Sequence, residues 1–285
     1  MSIGVDTRTE QSNAECEQVS NGWDLHRVGR GVAGVIGFVI VWWIGSLSVG
    51  ASYLLPSPPA VLAAFVEQLT TTTTFTIPVV GTDVQFSRMI VKLLQSLMHY
   101  VPGLVVGTVL GITVGLALGW SSLLDDVFAP VVRLLRPVPP LAWIAFAIVW
   151  FGIGHTGAAF IVAIGAFWIN FYGAYGGVGS APTALREVAA SLGVTTNLGM
   201  IREVVLPSAT PQIITGFRTS VGRCWMIVVA AELFGAPGAG YEIINSSNNL
   251  EMATAVAYML AISLVYLVID GAVGRFERRV LAWRE

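Results

Sequence analysis

Six stretches of this chain run on with scarcely a charge: Gly31–Val49, Leu97–Leu118, Val138–Ile153, Gly157–Tyr175, Ile213–Leu233 and Ala253–Val273. A helix needs about twenty mostly apolar residues to cross the hydrocarbon of a bilayer. Five of the six reach that length, and the third is short, with Pro137, Pro139 and Pro140 crowding its entrance. A span broken by proline survives where neighbouring helices cover the freed backbone groups, and such breaks also mark translocation pathways. Composition agrees, with 55% hydrophobic residues, 11% charged residues and a mean hydropathy of +0.74 over 285 residues. Soluble domains carry about 25% charge, so this chain cannot cover a water-facing surface. The expected fold is an all-α, polytopic bundle of six membrane helices with lipid as its solvent.

The remaining composition excludes several functions. A net charge of −2 gives no footprint for nucleic acid. Cys16 and Cys224 form neither a metal spacing nor a disulfide framework, and His26, His99 and His155 show no ligand spacing. No metal site is expected, and each histidine reads as buried or interfacial with a hydrogen-bond partner. No span offers the Ser/His, Asp/Asp or HExxH grouping of an intramembrane enzyme. Lys92 is the only lysine and no glycine-rich loop precedes it, so the chain has no Walker A motif and binds no ATP of its own.

Residues 1–30 are polar and read as a disordered cytoplasmic tail, with the membrane domain covering 31–285. Because the first apolar run starts at Gly31, it reads as a retained helix rather than a signal peptide. With the N-terminus inside, Arg27, Arg30, Arg133, Arg136, Arg186, Arg202, Arg275, Arg278, Arg279 and Arg284 all fall on the cytoplasmic side, against Arg88 and Lys92 outside. Six spans then return the C-terminus to the cytoplasm. After the first span, Ser57-Pro58 starts a short amphipathic helix with Val61, Leu62, Phe65, Val66 and Leu69 on one face, and Thr70–Thr74 reads as a loop. Gly103, Gly107, Gly111, Gly115 and Gly119 recur every four residues and form a smooth stripe for close helix contact.

The loop between the fourth and fifth spans carries its own structure. Leu185, Val188, Ala189 and Leu192 share one helical face, Gly193 falls where a left-handed cap ends a helix, and Thr196 or Asn197 can cap a second helix that Pro207 terminates or kinks. A water-exposed loop needs no apolar stripe, so a partner or the bundle itself must cover this one. Within the spans, Arg218, Arg223, Glu232 and Asp270 are the ionisable groups. A proton- or ion-coupled secondary transporter, the alternative reading, calls for more acidic groups near the midplane and for inverted repeats.

Glu187-Val-Ala-Ala-Ser-Leu-Gly193 followed by Val205-Leu-Pro207 resembles the EAA loop of binding-protein-dependent ABC importer permeases. Glu187, Ala189, Gly193, Leu206 and Pro207 fit that pattern, and Val188 replaces its usual first alanine. Leu55-Pro-Ser-Pro58, Arg136-Pro-Val-Pro-Pro-Leu-Ala-Trp143, Trp150-Phe-Gly-Ile-Gly154 and Ala230-Ala-Glu232 resemble the taurine, aliphatic sulfonate and nitrate branch. Arg223 departs from it, standing where relatives usually carry a small residue. The resemblance implies a type I importer permease in the plasma (inner) membrane, forming the pathway as a homodimer. It also implies cytoplasmic ATPase subunits carrying ATP and Mg, docked on the coupling helix around Glu187–Gly193, and an extracytoplasmic binding protein delivering a small anion. Trp143, Trp150, Trp168, Asn170 and Tyr172 are candidates to line the pathway.

Overall fold

The computed structural model describes residues 29–76 and 83–280, with side chains left out at 75, 76, 83, 84, 276 and 280. The expected tail at 1–30 lies almost wholly outside the described residues. The chain divides into two units, Met1–Leu62 and Ala63–Glu285.

In the first unit, α1 (Gly29–Val49) is 21 residues long, about 31 Å at 1.5 Å per residue. That matches a hydrocarbon core of about 30 Å. Gly50 turns the chain with φ +65°, and Trp42 Nε1 donates to the Pro56 carbonyl at 3.0 Å, pinning the following turn back on the helix. The expected amphipathic helix is α2 (Pro58–Thr70), with proline in its first turn, and the division between the units falls inside it.

The expected loop at Thr70–Thr74 is instead largely strand. β1 (Thr72–Thr76) pairs antiparallel with β2 (Asp83–Ser87), Thr72 opposite Ser87 and Thr76 opposite Asp83. A low-complexity threonine run is still β-branched, and β-branched side chains favour the pleated conformation once a partner strand is close.

The bundle comes next: α3 (Arg88–Trp120), α4 (Ser122–Leu135), a 3₁₀ turn (Pro140–Trp143), α5 (Ile144–Phe151) and α6 (His155–Gly179). Then come α7 (Thr183–Ser191), α8 (Asn197–Met200), a π turn (Ile201–Val205), α9 (Leu206–Glu232), α10 (Ala239–Asn248) and α11 (Met252–Val280).

The α3–α6 contact is the most extensive in the bundle, and the glycine stripe makes it. A Cβ on Gly103 would meet Val162, one on Gly107 the Ala163 carbonyl and Ala166, and one on Gly111 the Phe167 carbonyl. On Gly115 it would meet the Phe171 carbonyl, and on Gly119 the Val178 side chain. Small residues let backbones approach where lipid supplies no hydrophobic drive for association. The core between α3, α6 and α9 holds Tyr100, Leu104, Val162, Ala166, Val221, Cys224, Trp225 and Val228. Tyr100 Oη donates to the Val221 carbonyl at 2.9 Å and its ring packs edge-on against Trp225. Outward faces are apolar instead, as at Val105, Val109, Leu267 and Val268.

The glycine contacts also fix direction. They advance together along both helices, so α3 and α6 run parallel, and the chain between them must recross the membrane. The expected span Val138–Ile153 does not do this alone, since α5 has eight residues, about 12 Å. The return is made in pieces by α4 and the turn-plus-α5 segment, bent 88° to one another. Pro137, Pro139 and Pro140 force the break because they lack N–H donors and exclude helix from the residues before them. Among the described residues five helices are long and apolar enough to cross, and the bent pair taken as one span makes six crossings.

Against α6, α9 runs antiparallel: Gly177 meets Ala209, Gly173 meets Gly216, and Gly165 meets Ile227. Next, α11 runs antiparallel to α9, with Trp225 Nε1 donating to the Ile262 carbonyl and Arg218 paired to Glu277. The segment α7–α8 and the C-terminal end of α11 therefore share one end of the bundle, and α10 lies at the other.

Candidate functional site

The segment after α6 folds into the helix–turn–helix expected for it. Gly193 has φ +94°, the Val194 amide donates to the Ala189 carbonyl at 3.0 Å, and the Gly193 amide to the Ala190 carbonyl at 3.1 Å. These paired bonds satisfy the carbonyls that end α7, the two-bond glycine cap of a helix C-terminus. Thr196, rather than Asn197, caps α8 by accepting from the Gly199 amide at 3.1 Å.

Pro207 does not terminate the second helical stretch, which continues through it into α9. Having no N–H, it leaves the carbonyl four residues back without a helical donor. The ladder widens just upstream, where the Leu206 amide reaches Ile201, and the π turn carries the chain into α9.

Of the apolar stripe only Ala189 is buried; Leu185, Val188 and Leu192 remain exposed, Leu192 by 79%. With Glu203, Val204, Pro207 and Ser208 they line an open groove of about 320 Å³. The bundle leaves this stripe bare. Glu187 is exposed on α7 with no carboxylate–cation pair among the described residues, and Pro207, which lines the groove, and Leu206 beside it in sequence are exposed. The link back to the bundle is Arg186, which donates to the Val178 carbonyl at 3.1 Å and lies over Trp120, 5.5 Å from the ring centre. It thereby ties α7 to the last turns of both α6 and α3.

The aromatic candidates separate. Trp168 and Tyr172 stack on α6, and Arg136 lies over the Tyr172 ring at 4.8 Å. Tyr172, Tyr175, Asp125, Arg133 and Arg136 line a cavity of about 180 Å³ between α4 and α6, where Tyr175 Oη donates to Asp125 at 2.9 Å. Asn170 instead is buried in the α3–α6 contact, donating to Thr108 Oγ1 at 3.1 Å and the Ala166 carbonyl at 2.8 Å. Trp143 belongs to a separate aromatic row with Phe146, Trp150 and Phe160.

Sequence reasoning missed a buried polar cluster at the α10 end. Glu232 and His99 are fully buried. The Glu232 carboxylate accepts from Ser96 Oγ at 3.0 Å, His99 Nδ1 at 3.1 Å and the Gly240 amide at 2.8 Å. Further out, His99 Nε2 meets His155 Nδ1, and Ser96 accepts from the Ala239 amide at 3.0 Å. Each of these two histidines has the hydrogen-bond partner expected of it. The available signal was Ser96-x-x-His99, two polar groups one turn apart inside a helix long and apolar enough to cross the membrane. Nearby, Glu242 pairs with Lys92 at 2.7 Å and Arg88 at 3.6 Å. Among the described residues no three His, Cys, Asp or Glu side chains group to hold a metal.

Known proteins resemble this chain in sequence and in fold. The family profile described as binding-protein-dependent transport system inner membrane component matches residues 107–282. A putative ABC transporter permease protein of Methanocaldococcus jannaschii is 30% identical over 249 residues, covering 87% of this chain and 89% of its own length. The taurine transport system permease protein of Escherichia coli is 29% identical, with 92% of each chain covered. A putative aliphatic sulfonates transport permease protein of Bacillus subtilis is 28% identical, covering 96% of this chain and 94% of its own. The MetNI methionine ABC transporter in an inward-facing conformation shares the fold, with a TM-score of 0.59 at 22% identity over 67% of this chain and 96% of that one. Permeases of this kind are non-catalytic, and the ATPase activity lies in a partner chain. This chain belongs to the binding-protein-dependent transport system inner membrane components, as a multi-pass permease subunit of an ABC importer.

Proposed function

We propose that two copies of this chain form the pathway of an importer for a small oxyanion, driven by ATPase subunits docked at the α7 groove. The bare apolar groove beside Glu187 carries this reading, because an exposed stripe of that kind on a water-facing loop calls for a protein to cover it. Relatives named for taurine, aliphatic sulfonates and bicarbonate support the solute class, since each of those compounds carries a negatively charged oxygen group. An extracytoplasmic binding protein would deliver the solute at the α10 end.

Gly193→Val tests the docking. No atom lies within 4 Å of a Cβ at Gly193, so the cost is backbone strain alone, about 1–2 kcal/mol. The variant, like Glu187→Lys, is expected to insert normally and yet lose transport, with ATPase association weakened or hydrolysis no longer stimulated by the loaded binding protein. Transport at the wild-type rate with an intact complex would refute the docking.

We further propose that α7 faces the cytoplasm. Arg186, Arg202, Arg278 and Arg279 gather at its end of the bundle, while the cations at the opposite end, Arg88 and Lys92, are both paired to Glu242. Impermeant thiol reagents on intact cells should label Asn249→Cys and spare Thr195→Cys. Gly238 is unsuited to the same test because a Cβ there would run into the Glu232 carboxylate. The reverse labelling pattern would invert the topology.

A further inference from the structure

We propose that Arg223 stands on the wall of the translocation pathway at the membrane midplane and binds the passing oxyanion there. The inference rests on the permease reading and names the contact its solute makes.

Helix α9 turns Val221, Cys224, Trp225 and Val228 into the bundle core. The opposite face carries Thr215, Thr219, Arg223 and Met226, all exposed. Depth is set by the α6 contacts. A Cβ on Gly165 would meet Ile227 and Cys224, and one on Gly173 would meet Gly216. Arg223 is therefore level with the middle of α6 (His155–Gly179), about 18 Å from either end of that helix.

A guanidinium stays charged at any accessible pH and cannot escape by losing its proton. From this depth the side chain is too short to reach either interface, so snorkelling does not relieve it. Several other described cations have partners: Arg218 has Glu277, Arg88 and Lys92 have Glu242, Arg136 has the Tyr172 ring, and Arg186 has the Val178 carbonyl. Arg202, Arg278 and Arg279 have none among the described residues, but they lie in the π turn and the last turn of α11, at the end of the bundle rather than at its middle. Arg223 has no carboxylate within 4 Å, no hydrogen bond and no ring contact among the described residues. Asp270 on the adjoining α11 forms no ion pair with it.

An unpaired charge at this depth facing lipid is costly, and such residues face water or a bundle interior instead. The neighbours on the stripe suit water. Thr219 Oγ1 donates to the Thr215 carbonyl at 2.8 Å and Thr215 Oγ1 to the Pro211 carbonyl at 2.9 Å, leaving hydroxyl lone pairs for solvent. Recognition then falls to Arg223. Its planar fork suits the paired oxygens of a carboxylate, sulfonate or bicarbonate, and its charge opposes cations. A second copy of the chain would complete the wall.

The test uses the complex with its ATPase partner in proteoliposomes, carrying Arg223→Cys and Cys16→Ser. Buried Cys224 is retained, and the parent with Arg223 gives the background. Two charged, water-borne thiol reagents, sulfonatoethyl and trimethylammonioethyl methanethiosulfonate, should both modify the introduced thiol, which requires an aqueous path to the midplane. Radiolabelled taurine, methanesulfonate and bicarbonate are the uptake probes. Arg223→Gln should slow uptake of whichever the parent transports by about 10- to 100-fold, the loss of a charge-assisted contact. Arg223→Lys should keep more, and the cationic reagent, unlike the anionic one, should restore uptake to Arg223→Cys. A thiol inert to both reagents in the assembled complex would overturn the proposal, as would undiminished uptake by Arg223→Gln. Failure of the parent chain to co-purify with an ATPase would instead strike the docking in the permease reading.

Discussion

Gly107→Leu is expected to abolish the folded bundle, and Gly107→Ala to destabilise it by about 1–3 kcal/mol, the scale of overpacking a close contact. The first atom a new Cβ meets is the Ala163 carbonyl oxygen, with Ala166 Cβ at 2.7 Å. A backbone oxygen cannot swing aside, so α3 and α6 must separate along their whole contact. Gly34→Ala is the control. No atom of its surroundings lies within 4 Å of a Cβ there, and replacing glycine by alanine in a helix interior stabilises by about 0.5–1 kcal/mol. Thermal unfolding of the detergent-solubilised protein, followed by loss of the monodisperse peak, measures both. Equal effects of Gly107→Ala and Gly34→Ala would show that the stripe does not hold the helices together.

Glu232→Ala is the second large effect expected, a loss of about 3 kcal/mol or more, on the scale of about 1–3 kcal/mol for each buried donor left unsatisfied. The carboxylate is the shared acceptor for Ser96, His99 and the Gly240 amide, so its removal strands three buried donors at once. Glu232→Gln keeps one acceptor oxygen, but its amide must turn hydrogens toward a donor, so it should fall between wild type and Glu232→Ala. The same assay orders the three proteins. A Glu232→Ala protein as stable as wild type would mean that water or a rearranged α10 replaces the carboxylate.

The parts of this fold that were legible in sequence are those governed by local chemistry. Gly193 announced a left-handed cap, Ser57-Pro58 a helix start, and the four-residue glycine period a contact face. The stretch around Val138–Ile153 was misleading because hydropathy does not register a bend: it holds only the turn and α5, and the rest of the crossing is α4, upstream of the three prolines. The threonine run misled in the opposite direction, since its strand depends on a partner beginning at Asp83. Within the candidate site, Glu187, Ala189, Gly193, Leu206 and Pro207 are contiguous enough to be read together. The Glu232–His99–His155 cluster is not, because its members lie on three helices and only packing joins them. Asn170 and Tyr172 show the finer limit: two positions apart on α6, they face a helix contact and a cavity respectively.

The parallel run of α3 and α6 bears on how the chain is made. Residues that end as neighbours, such as Gly107 and Ala163, leave the ribosome more than fifty positions apart, with a complete return crossing between them. While the bent segment is still threading back, the glycine groove of α3 can be lined only by lipid or by the insertion machinery. The tightest joint of the finished molecule is thus sealed late in biogenesis, when α6 arrives. A chain stalled before His155 would present an open groove to quality control, however well its earlier helices had inserted.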